Sequence, residues 1–388
     1  MSKKKRVLSV LVAAFMAAGL AGCAGPVSTA PGTSVQVAAQ RADVLAAMNK
    51  ANRYWQQQVP ATEWAFWNVA AYHTGNMAAY EVTQDRAQLA YTEQWAEHNG
   101  WSGARSPDKS RWKYSYGETD EYVMFGDWQI CFQVYADLYK LNPDPKKIAR
   151  AREVMEYQMS TPNRDYWWWA DGLYMVMPVM TKLYTITGDR RYLDKLAQYF
   201  AYANEIMYDS AAQLYYRDAR YVYPKHQSLH GKKDFWARGD GWVFAGLARV
   251  LQDLPKNDPY RPEFERKFVQ MAQALKPLQQ ADGYWARSLL DADHAPGPEA
   301  SGTAFFTYAY LWGINNHVLS QQEYLPTAQR GWKFLREVAL QPDGKIAYVQ
   351  PIGDRAVAGQ VVDKQSTAHF GVGAFLLAGA EMAKFLQP

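Results

Sequence analysis

The run Trp167-Trp168-Trp169-Ala170-Asp171-Gly172-Leu173-Tyr174-Met175 leads into an apolar stretch that carries on to Met180 and reaches Gly188. The pattern predicts a helix over residues 168–187 that is apolar on nearly every side, which places it inside a protein. Thr187-Gly188-Asp189 ends it: glycine suits the residue after a helix, and aspartate suits the cap of the next. The following helix, 190–207, is of another kind. Leu193, Leu196, Phe200 and Ala203 mark one face, and charged residues occupy the rest. A buried helix followed by an amphipathic one makes a hairpin with an inside and an outside.

The same alternation extends in both directions. Asn142-Pro143-Asp144-Pro145 and Asn257-Asp258-Pro259 punctuate the chain as Thr187-Gly188-Asp189 does. Helices are predicted at 41–58, 64–82, 84–98, 122–141, 146–159 and 168–187, then at 190–207, 240–254, 260–279, 302–319, 321–339 and 367–386. Even-numbered members carry the continuous apolar or small-residue runs, such as Gly371 to Ala380, and odd-numbered members are amphipathic. Six hairpins with an inner and an outer ring give an all-α fold, an (α/α)6 barrel, as a single domain over 41–388. Loops 99–121, 208–239, 280–301 and 340–366 gather at the rims, with room for short strands.

The 388 residues suffice for such a domain. Of the 42 Lys and Arg, Lys3, Lys4, Lys5 and Arg6 sit together at the N-terminus; without them, basic residues equal the 38 acidic ones in number. No persistent basic face remains for a nucleic acid. Those four residues precede the apolar stretch Val7 to Leu20, then Leu20-Ala21-Gly22-Cys23. Charge, apolar run and terminal cysteine in that order predict a bacterial lipoprotein signal over 1–22, with Cys23 lipidated and 23–40 a flexible tether. Ala24 suits sorting to an outer membrane, on the periplasmic side of the envelope. The remaining cysteine, Cys131, reads as a small buried hydrophobe rather than a nucleophile.

Several chemistries are excluded. The chain has no Gly-x-Ser-x-Gly elbow, no phosphate loop and no Gly-x-Gly-x-x-Gly entering a helix. No pair among its seven histidines has a convincing metal-ligand spacing, so no metal is expected. What remains is carboxylates framed by aromatics near the starts of inner helices: Asp127 in Phe125-Gly126-Asp127-Trp128, Asp171 behind three tryptophans, and Asp240 within Phe235-Trp236-Ala237-Arg238-Gly239-Asp240-Gly241-Trp242. Each could be no more than a helix cap, worth about 1 kcal/mol. Inner helices that run the same way bring their starts to one rim, so three acids, one arginine and several tryptophans are expected to meet in one cleft. Trp167, Trp168 and Trp169 cannot all face one interior, so at least one lines a cavity or rim.

The strings WADGLYMVMP (169–178), FWARGDGW (235–242), SGTAFFTYAYLWGINN (301–316) and GVGAFLLAGAE (371–381) occur in the order seen in glycoside hydrolase family 105, the unsaturated rhamnogalacturonyl hydrolases, which the chain resembles over nearly its whole mature length. That family is related to the family 88 unsaturated glucuronyl hydrolases, and its fold is an (α/α)6 barrel. The resemblance implies removal of a 4,5-unsaturated uronic acid from the non-reducing end of lyase-generated oligosaccharides, with an unsaturated rhamnogalacturonan disaccharide as the expected substrate. The enol-ether double bond is hydrated rather than the leaving sugar displaced, outside the usual two-carboxylate schemes. No cofactor is implied.

By motif, Asp171 is the acid/base and Asp127 the second acid, which holds the sugar or keeps Asp171 protonated. Trp236, Arg238 and Trp242 match substrate-contacting positions; Arg238 offers a fork suited to a carboxylate. Trp169 and Met175, on either side of Asp171, join them. The chain departs from the family in two places. Relatives commonly show paired acids followed by Gly-Gln where this chain has Gly126-Asp127-Trp128 and then Phe132-Gln133, and they often carry Asn at the position of Asp240. Two other functions fit the same cleft: a silent sugar-binding lipoprotein, and an (α/α)6 hydrolase of saturated glycosides.

Overall fold

The computed structural model describes residues 31–387, so the signal segment, Cys23 and the first part of the tether lie outside the described residues. Twelve α-helices lie among the described residues: α1 (Pro31–Gln58), α2 (Trp67–Thr83), α3 (Arg86–His98), α4 (Cys131–Leu141), α5 (Lys146–Ser160), α6 (Ala170–Thr187), α7 (Arg191–Met207), α8 (Ala237–Asp253), α9 (Arg261–Leu275), α10 (Ala300–Asn315), α11 (Gln321–Phe334) and α12 (His369–Phe385). The even-numbered helices pack on one another in a closed ring, α2–α4–α6–α8–α10–α12 and back to α2. Helices α3, α5, α7, α9 and α11 each pack outside the inner helix that precedes them, and α1 packs mainly on α12. The architecture is the (α/α)6 barrel.

Backbone capping follows the sequence closely. The carboxylates of Asp144, Asp189 and Asp258 accept from the amides of Lys146, Arg191 and Tyr260 at 2.9–3.0 Å, each starting an outer helix. Gly188 ends α6 in the left-handed region, φ 71°. Where the ring closes, α2 and α12 approach so nearly that a Cβ on Gly75 would lie 2.1 Å from the Gly373 carbonyl oxygen. A side chain there would force the two inner helices apart.

Three expectations need correction. Helix α1 opens at Pro31, so residues 31–40 are helical where a tether was expected. Proline is well placed at a first helical position, and the added turns over 36–40 are mostly solvent-facing, so no apolar stripe announced them. Residues 122–141 do not form one helix: a 3₁₀ turn, Gly126–Trp128, precedes α4. Asp240 does not open α8, which begins at Ala237. The rim loops do carry a small hairpin, β1 (Tyr208–Asp209) paired antiparallel with β2 (Leu214–Tyr215).

Candidate active site

A cleft of about 740 Å³ opens at the rim where the inner helices begin, a size typical of small-molecule sites. Trp67 and Asn68 of α2, Asp127 of the 3₁₀ turn, and Asp171 and Met175 of α6 form its inner wall. Trp168, Trp169 and loop residues Tyr116, Glu118, Arg217, Arg220, Ile352 and Asp354 build the rest. Below it, Trp67, Tyr174, Trp242, Phe305 and Phe370, each from a different inner helix, touch ring to ring across the lumen. This aromatic layer floors the cleft.

Asp171 is not a cap. The residue ahead of α6 is Trp169, without a side-chain cap; the first amide, Ala170 N, is instead satisfied by Arg217 O at 2.7 Å. Asp171 is therefore free to turn its carboxyl toward the cleft. It is 8 % exposed, and its Oδ2 has no hydrogen-bond partner among the described residues. Burial raises its pKa above the ordinary carboxylate value, while Arg217 and then Arg238 pull it back.

Asp127 approaches from the other side. Its 3₁₀ turn lies against α6 so closely that a Cβ on Gly126 would meet Val176 Cγ2 at 2.8 Å and the Trp169 ring at 3.1 Å. Glycine before Asp127 is what lets the second acid reach the first. Asp127 is 7 % exposed, and its pKa is raised well above the usual range, first by burial, then by the charge of Asp171, with Arg217 opposing. The negative charge of Asp171 thus adds to burial in favouring the protonated form of Asp127.

Arg217 was not foreseen. It sits between these acids and Asp218: Nη1 donates to Asp218 Oδ2 at 2.8 Å, and Nε lies 3.5 Å from Asp171 Oδ2, too far for a hydrogen bond. Its guanidinium lies 5.7 Å from the Trp168 ring centroid. The signal for it was an internal repeat. Gln213, Gly283 and Gly344 all turn the chain with positive φ, and the fourth residue after each, Arg217, Arg287 and Tyr348, gives its carbonyl to the first amide of the inner helix that precedes it in the chain. Counting forward from those turns finds Arg217 beside Asp171. Asn68 was also missed; it is the second residue of α2 as Asp171 is of α6, and its Oδ1 is buried without a hydrogen-bond partner among the described residues.

Of the residues expected at the site, Asp127, Asp171, Trp169 and Met175 line the cleft, and four do not. Trp242 belongs to the aromatic floor. Trp236 is buried, with Nε1 donating to Gln350 Oε1 at 2.9 Å. Arg238 gives Nη1 to Gln350 O at 2.6 Å and Nη2 to Pro351 O at 2.8 Å, so it holds the loop that brings Ile352 and Asp354 to the mouth. Asp240 is fully buried and accepts from Tyr215 N at 2.8 Å, anchoring β2. The motif's helical phase explains this: in α8 these side chains point to neighbouring loops and the lumen. Of the three tryptophans, Trp168 and Trp169 face the cleft and Trp167 packs on Tyr199. Cys131 is buried, its thiol pKa pushed up by burial. No cluster of three or more His, Cys, Asp or Glu among the described residues is placed to hold a metal ion.

Comparisons with known proteins give the family of the chain. The sequence profile of glycosyl hydrolase family 88 matches residues 42–386. An unsaturated 3S-rhamnoglycuronyl hydrolase of Formosa agariphila is 32 % identical over 345 residues, covering 85 % of this chain and 88 % of that protein. A family 88 glycosyl hydrolase from Bacteroides vulgatus is 53 % identical, covering 89 % of this chain and 99 % of that one, with a TM-score of 0.87. A further structure, described as a polysaccharide lyase, is 63 % identical, covering 89 % and 98 %, with a TM-score of 0.88. This chain belongs to glycosyl hydrolase family 88, within the pair of related families that its motifs resemble.

Proposed function

We propose that the protein removes a 4,5-unsaturated uronic acid from the non-reducing end of short oligosaccharides by hydrating the enol-ether double bond. The observation that carries this is the buried pair Asp127 and Asp171, both raised above the ordinary carboxylate pKa, in the wall of one cleft. Asp171 gives its proton to C4. Water then adds at C5 as the Asp171 carboxylate takes up the proton that water loses, and the hemiketal opens and expels the neighbouring sugar. Rhamnose is the expected neighbour, in keeping with the name of the Formosa relative.

Loss of ultraviolet absorbance from an unsaturated rhamnose-linked disaccharide tests the reading. Wild type erases the chromophore, Asp171→Asn slows this by 10²-fold or more, and saturated glycosides are left intact. A mutant as fast as wild type overturns the assignment of Asp171.

The relative described as a lyase favours a second reading, elimination. A lyase needs a base to take the C5 proton and creates the chromophore instead of erasing it. Two acids held above the ordinary carboxylate pKa suit addition better than elimination, and the sign of the absorbance change decides.

The envelope location is part of the proposal. Lys3 to Arg6, the apolar run and Cys23 support a lipid anchor on the periplasmic side, at the outer membrane. Cys23→Ser is expected to move the protein from the membrane to the soluble fraction; unchanged membrane association would refute the anchor.

A further inference from the structure

Arg217 is held by Asp218 through Nη1 and turns its Nε toward Asp171. Asp218 fixes Nη1 at 2.8 Å and is itself fixed by Arg220, through the backbone amide at 2.9 Å and the guanidinium at 3.0 and 2.8 Å. Nε faces Asp171 Oδ2 across 3.5 Å, and neither atom has a hydrogen-bond partner among the described residues. The cleft adds the unpartnered acceptor Asn68 Oδ1. A guanidinium pre-set by one carboxylate in the lining of a sugar-sized cleft is built to take a second carboxylate. Arg238, the arginine that the sequence pointed to, has both terminal nitrogens committed to backbone carbonyls.

We infer that Arg217 recognises the ring carboxylate of the uronate and so sets the double bond beside Asp171. The inference rests on the hydrolase reading above. The charged groups acting on Asp171 are Arg217, Arg238 and Asp218, and those acting on Asp127 are Asp171, Arg217 and Glu118. Arg217 is the strongest charge holding the Asp171 pKa down. A substrate carboxylate paired with Arg217 cancels that pull where it is greatest. Asp171 therefore holds its proton more firmly when a uronate is in place.

The test compares an unsaturated uronate disaccharide with its carboxamide, which keeps the double bond. Wild type should favour the carboxylate by on the order of 100-fold in kcat/KM, and Arg217→Gln should lose most of that preference by losing activity on the carboxylate alone. In wild type the alkaline limb of kcat should lie at higher pH than that of kcat/KM, and in Arg217→Gln the two should coincide. Arg217→Lys, which keeps the charge, should recover part of both effects and serves alone if the glutamine variant does not fold. Equal loss on both substrates, or an unchanged preference, overturns the inference. Failure of wild type to erase the chromophore at all would instead overturn the hydrolase reading.

Discussion

Gln133, on α4, donates its side-chain amide to Tyr174 O at 2.7 Å, the carbonyl that Pro178 leaves without a helical partner. Proline has no N–H, so a proline inside α6 frees the carbonyl four residues earlier. The same amide reaches Met175 O at 3.0 Å, and Gln133 Oε1 accepts from Arg249 Nε at 2.8 Å. One side chain thereby ties α4, α6 and α8 together one turn below Asp171.

Gln133→Leu is expected to lower stability by about 1–3 kcal/mol, because Tyr174 O and Arg249 Nε are then buried without partners. In a Pro178→Ala background the residue at 178 regains an N–H for Tyr174 O, and the same change should cost less. A double-mutant cycle from denaturant melts reads the difference; equal costs in both backgrounds contradict this account.

Asp240→Asn should stabilise the protein and leave activity intact. Asp240 Oδ2 is buried without a hydrogen-bond partner among the described residues, and burial raises its pKa well above the usual range. An acid raised in the folded state costs stability as pH climbs above its unfolded value of about 4, until the folded pKa is reached. Asparagine keeps an oxygen for Tyr215 N and removes that cost. The melting-temperature gain over wild type should therefore be absent near pH 3 and present at pH 7, with an unchanged choice among substrates.

Arg238→Gln should act through the loop it holds. With the bonds to Gln350 O and Pro351 O gone, Ile352 and Asp354 lose their position at the cleft mouth. A rise in KM and a lower melting temperature are expected together. An altered KM with no change in melting would mean that Arg238 touches the substrate directly.

Asp127→Asn should shift the alkaline limb of kcat/KM to lower pH. Removing an ionisable neighbour lets Asp171 lose its proton more readily, so the acid form disappears earlier as pH rises. The pH–rate profile checks the direction; a shift to higher pH contradicts the pairing.

Much of this was legible in the chain. Apolar α6 against amphipathic α7 gave the inside and outside of each hairpin, and Asp144, Asp189 and Asp258 cap where punctuation placed them. Asp127 and Asp171 were legible because their neighbours are aromatic and their place is fixed by helix starts. Arg238, Trp242 and Asp240 were misplaced because a motif gives residue order, not the helical phase that decides which side chain meets a cleft. Arg217 and Asn68 were hidden for a different reason. One lies in a long loop whose path depends on hydrogen bonds to another hairpin, and the other looks like any polar residue at a helix start.

The near-contact of Gly75 and Gly373 has a bearing on how the molecule assembles. It joins the first inner helix to the last, so no arc of the ring is complete until α12 arrives. Open helical arrays end in repeats with polar outer faces; here the two ends are each other's partner. An unfinished chain therefore shows water the apolar flanks of α2 and α10, which invites wrong association, and closure brings the most distant parts of the sequence together at the slowest stage of folding. Bulk added at either glycine should show first as a poor yield of folded protein, before any effect on the chemistry at the rim.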